Sequence, residues 1–179
     1  TLFSDKIDFH QNARLSSVHL DLLYNNLGTL LKPESTGLKR TTDAVGVLHQ
    51  IAENIHKRSL VVIFSDMIES ADPDAMYSAL QHLRYNKHEV ILFHVTDKGH
   101  EEELVYSNRP HKFIDLETGE MIRLKPQEIR QQYAKMMKEY VDDLKLKCGQ
   151  YNIDVVEADI NEDFRHVLFS YLIKRGKLA

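Results

Sequence analysis

The sequence predicts an α/β fold, a three-layer arrangement with a mostly parallel sheet and helices on both faces. Three observations carry that expectation. The stretches "LVVIFS" (60–65) and "EVILFHV" (89–95) are apolar at successive positions, as strands covered on both faces are. The segments that follow them place apolar residues at helical spacing. Over residues 60–175 the order reads strand, helix, strand, helix, strand, helix, and right-handed crossovers turn that alternation into a parallel sheet.

Taken in order, residues 1–13 read as two short strands around a turn at Asp5-Lys6. Residues 15–31 predict a helix with Val18, Leu22, Leu23, Leu27 and Leu30 on its buried face. Pro33, Ser35 and Gly37 mark a polar loop. A second helix is expected over 43–57, with Val45, Leu48, Ile51, Ala52 and Ile55 repeating and Thr42 as its cap. Asp72-Pro73 starts the helix after "LVVIFS", with Met76, Ala79, Leu80 and Leu83 inward. An excursion over 97–125 contains "HKFIDLETGEMIRL", a hairpin turning at Glu117-Thr118-Gly119. A long helix follows from Pro126 to about Lys147, with Ile129, Tyr133, Met136, Met137, Tyr140, Leu144 and Cys148 inward and Gly149 as its stop. The strand 153–159 leads into a last helix burying Phe164, Val167, Leu168, Tyr171 and Leu172. One domain over 1–179 accommodates all of this.

Bulk properties narrow the function classes. A net charge of -4 lacks the basic surplus of nucleic-acid binders. Cys148 is the single cysteine, so no internal disulfide forms and a reducing, cytoplasmic setting is expected. No apolar run approaches the ~20 residues that cross a bilayer. The opening "TLFSD" lacks an initiator methionine and already reads as a strand, so the chain is expected to be a fragment of a longer protein.

Ligands of open α/β sheets gather beyond the carboxyl ends of the strands. Ser65 and Asp66 fall there, as do Thr96 and Asp97, and the loop carrying Thr42 is expected at the same rim. Carboxylate and hydroxyl oxygens suit a hard cation such as Mg²⁺. Each residue also has a plainer reading: Thr42 as a helix cap, Asp66 and Asp97 as turn residues. Enzyme signatures are missing. The chain has no G-x-G-x-x-G, no phosphate-binding G-x-x-x-x-G-K-[ST], no glycine-flanked serine and no H-E-x-x-H. Cys148 and the Tyr/Met stripe read as core, and Glu101 to Glu103 as a solvated loop.

"TLFSD", "RTTDAVGVLHQIAENI", "RSLVVIFSDMIES" and "HEVILFHVTD", in that order, resemble the von Willebrand factor A fold. More closely they resemble its bacterial DUF fifty-eight branch, whose members accompany MoxR-type AAA+ ATPases. "FIDLETGE" and the ending Tyr171, Leu172, Arg175 fit that branch as well. The resemblance implies a metal-ion-dependent adhesion site in which Thr42 and Asp66 serve a Mg²⁺ whose shell a partner's acidic side chain completes. The D-x-S-x-S loop of that site is not in this sequence, so the chain as given is expected to bind the cation weakly or not at all. The resemblance also implies that the first central strand is missing, which would leave "LVVIFS" with an open edge and favour a homodimer paired through strands. The function expected is a non-enzymatic protein-binding adaptor for a MoxR-type ATPase. The alternatives are a metal-dependent phosphoester hydrolase using the strand-end carboxylates, for which only Lys39 and Arg40 offer cations nearby, and a structural domain with an inert rim.

Overall fold

The computed structural model describes residues 1–4, 6–31, 44–67, 73–114 and 119–176. Along the chain these form β1 (Leu2–Phe3), β2 (Ile7–Phe9), α1 (Ser17–Leu30), α2 (Ala44–Asn54), β3 (Leu60–Ser65), α3 (Pro73–Tyr85) and β4 (Glu89–Thr96). A short π-helical turn, Lys98–Glu102, precedes β5 (His111–Ile114) and β6 (Met121–Leu124). α4 (Pro126–Gln150), β7 (Asp154–Asp159) and α5 (Phe164–Gly176) complete the order. β3, β4 and β7 make a parallel sheet with β4 in the middle, and β1-β2 and β5-β6 are separate antiparallel pairs. The α/β class and the alternation over 60–175 are therefore as the sequence predicts.

Alternation along β4 divides the packing. Val90 and Leu92 point into a cluster with Leu48 of α2, Leu80 and Leu83 of α3, and Leu144 and Cys148 of α4. On the opposite face Phe93 stacks on Phe64 of β3, centroids 4.9 Å apart, and meets Tyr171 of α5 edge-on at 5.9 Å. Helices thus lie on both faces. The second face is thinly covered, however.

That thin cover overturns several expected burials. β3 is not enclosed on both sides: Leu60, Val62 and Phe64 are exposed, Phe64 by 65%. Val18, Leu22, Leu27 and Leu30 of α1 are exposed rather than buried, and Leu23 is half-buried. On α5, Phe164, Leu168 and Leu172 face solvent, as does Met136 on α4. Helical periodicity records that a face is apolar, and says nothing of whether a partner lies against it. Among the described strands β3 has β4 as its one neighbour.

The helix stops differ from expectation too. Gly149 lies inside α4, which runs on to Gln150. Asn152, in the left-handed region with φ 56, ends it. Its N–H donates to the Gly149 carbonyl at 3.1 Å, and the Ile153 N–H donates to the Cys148 carbonyl at 2.9 Å. This is the paired-bond helix terminus in which the flanking residues, here buried Ile153 and Cys148, also touch the core. α3 ends the same way on Lys87, φ 63, with Lys87 N–H to the Arg84 carbonyl and His88 N–H to the Leu83 carbonyl. At the hairpin, Gly119 has φ 74 as expected, while Glu117 and Thr118 lie outside the described residues. Asp5, Thr42, Asp43 and Asp72 also lie outside them.

The α3 terminus drives His88 into the interior, where it is fully buried. Its Nδ1 accepts from the Ser59 N–H at 3.1 Å, which leaves the proton on Nε2, a buried atom with no partner among the described residues. Burial lowers its pKa from the ordinary 6.5. The unfolded chain then takes up a proton that the folded chain refuses, so stability is full above about pH 6.5 and declines as pH falls below it. The urea midpoint is expected to be lower at about pH 5.5 than at pH 7.5, and His88→Leu should reduce that difference. An equal difference in both proteins would refute the assignment.

Candidate functional site

The carboxyl end of β3 delivers the chain to the rim under tight backbone control. Ser65 pairs with His94 in the β3-β4 register. Ser65 Oγ accepts from the Met67 N–H at 3.1 Å, closing a small turn around Asp66. His94 Nε2 lies 2.8 Å from the Asp66 carbonyl, to which it donates. The Tyr140 hydroxyl, from α4, donates to the next carbonyl, that of Met67. Met67 itself is left-handed, φ 56, with its side chain buried in the core. The successive carbonyls of Asp66 and Met67 are thus each held by a hydrogen bond while the Asp66 side chain is exposed. Among the described residues no hydrogen bond reaches its carboxylate.

Tyr140 senses that carboxylate. Burial raises its phenol pKa first, with the Asp66 charge next and Cys148 after it. A phenol pushed upward is a hydrogen-bond donor at neutral pH, not a base. Cys148, fully buried, is pushed up to about 11 by burial alone, which removes it from nucleophilic roles.

The neighbouring strand ends are occupied with internal bonds. Thr96, buried, donates through Oγ1 to Glu102 Oε1 at 2.9 Å. Asp97 caps the π-helical turn, its Oδ1 accepting from the His100 N–H at 3.2 Å and its Oδ2 meeting His100 Nδ1 at 2.8 Å. That His100 contact is the main cause holding the Asp97 carboxyl below its ordinary range. Asn161 Nδ2 bridges Asp97 Oδ1 and Asp159 Oδ1 at 2.9 and 3.0 Å, tying the ends of β4 and β7 together. These groups brace the rim.

Of the two residues expected to serve a cation, Asp66 stands at the rim with an exposed carboxylate to which no described residue hydrogen-bonds, and Thr42 lies outside the described residues. Among the described residues no group of three or more His, Cys, Asp or Glu is arranged to hold a metal ion. Sequence reasoning missed His94 and Tyr140 as supports of Asp66. His94 was legible only as a polar residue interrupting an apolar strand, and Tyr140 only as a stripe member whose hydroxyl had no stated destination.

Fold and rim together define an α/β domain with a carboxylate presented beyond a parallel strand. Residues 3–142, well over half of the chain, match the family described as "Protein of unknown function DUF58", and the chain belongs to that family. No curated protein and no solved structure matches it. Among the described residues no helix is long and apolar enough to cross a membrane.

Proposed function

We propose that the chain is a protein-binding module and not an enzyme. It is read as a von Willebrand A-like domain that grips an acidic side chain of its partner through a rim-bound Mg²⁺, working in the cytoplasm with a MoxR-type AAA+ ATPase. The observation that carries this reading is the exposed Asp66 carboxylate on a backbone clamped by His94 and Tyr140. A hard cation takes oxygen ligands, of which Asp66 offers one; the Thr42 hydroxyl, waters and the partner's carboxylate are proposed for the rest. Bound there, the ion would supply a bridge between like charges. Asp66 would hold it, and the clamp would keep Asp66 from retreating when the partner pulls.

Hydrolysis finds less support. Tyr140 beside Asp66 is kept protonated, and Asp97 is already engaged by His100 and Asn161. The test is capture of the ATPase on immobilised chain in Mg²⁺ and in EDTA. Retention in Mg²⁺ that is lost in EDTA is expected; equal retention in both, or none in either, would sink the reading. A second copy is proposed as a further partner through the β3 edge, where Leu60, Val62 and Phe64 are exposed. Light scattering showing one monomer at all concentrations would oppose it.

A further inference from the structure

We propose that His49 and His82 form a binding site for a borderline divalent transition-metal ion, with Zn²⁺ as its probe. His49 lies on α2 and His82 on α3, and their Nδ1 atoms approach to 2.9 Å across the helix pair. The ring centroids are 5.2 Å apart and the planes tilt by 46°. Both rings are half-buried. Two like atoms at this distance can bond only if one carries a proton and the other does not, so the contact holds one proton between two lone pairs. Once that proton has passed through solvent to Nε2 of its own ring, a metal ion entering in its place meets two neutral imidazole nitrogens at once. Imidazole suits Zn²⁺, Ni²⁺ and Cu²⁺, whereas Mg²⁺ prefers oxygen.

The geometry is close to what such an ion needs. With Zn–N bonds of about 2.0–2.1 Å, the edge of a tetrahedral site is roughly 3.3 Å, a few tenths longer than the present separation. A small rotation of either ring supplies it. The helices themselves are held at this level. Leu48 and Leu83, the neighbours of the two histidines, are buried in the core, and Asn86 Nδ2 donates to the Ala52 carbonyl at 2.8 Å one turn along. Preorganised ligands lose little freedom on binding. No third protein ligand stands beside them among the described residues, so water fills the remaining positions from the open side. The site is separate from the rim at Asp66, and its fate does not depend on the adaptor reading.

Calorimetric titration of the full chain with Zn²⁺ tests the site. One ion per chain is expected, with affinity falling at least about tenfold in His49→Gln and in His82→Gln, the loss that even outer partners of metal ligands cause. Mg²⁺ should leave the His49 and His82 NMR signals unmoved. Absence of Zn²⁺ binding, or unchanged affinity in the double variant, would overturn the proposal. Should a variant not fold, the wild-type protein decides through its histidine NMR signals. Zn²⁺ must shift the His49 and His82 resonances together; shifts confined to other histidines would overturn it equally.

Discussion

Leu92→Ala is expected to lower the free energy of unfolding by about 2–5 kcal/mol, enough to consume much of a small domain's stability. Leu92 sits at the middle of the central strand with 0% exposure, and it touches a cluster drawn from α2, α3 and α4. Truncation there removes apolar area and leaves a cavity that three helices and a sheet cannot all move to fill. Leu60→Ala is the matched control. Leu60 lies on the edge strand with 51% exposure, and its loss should cost under about 1 kcal/mol. Urea unfolding of both variants against wild type checks the pair. Equal losses would mean that the core is not centred on β4.

On the proposed adaptor reading, Asp66→Ala is expected to weaken Mg²⁺-dependent capture of the ATPase by at least about tenfold and to leave thermal stability nearly unchanged. The carboxylate is exposed, and no described residue hydrogen-bonds to it. Surface changes of this kind usually stay within about 0.5 kcal/mol. Tyr140→Phe separates presentation from ligation. It frees the Met67 carbonyl, costs roughly 1 kcal/mol of stability, and should weaken capture by less than the loss of Asp66 itself. Binding that survives Asp66→Ala intact would remove the rim from the mechanism.

The sheet was largely legible because its strands are short apolar runs bounded by loop residues. "LVVIFS" forms β3 over the residues expected, and β4 extends the expected run by one residue, to Thr96. Helix ends were harder. Gly149 looked like a stop, but a glycine inside α4 is tolerated when the next residues close the terminus, and the Asn152 and Ile153 N–H groups do so with one backbone bond each. Burial was hardest of all. The leucines of α1 and the outer residues of β3 carry the pattern of buried faces, yet what covers such a face is a tertiary fact. At the rim, Asp66 was legible from its place after an apolar strand. The supports were not, since a hydroxyl or imidazole reaching a distant carbonyl leaves no periodic trace.

The pairing of β4 has a temporal side. It meets β3 through a crossover of one helix, whereas β7 arrives about sixty residues later in the chain. At roughly 5–20 residues per second of synthesis, the edge of β4 that β7 will cover waits several seconds for its partner. The apolar face that β7 seals is therefore the last part of the sheet to be withdrawn from water during synthesis.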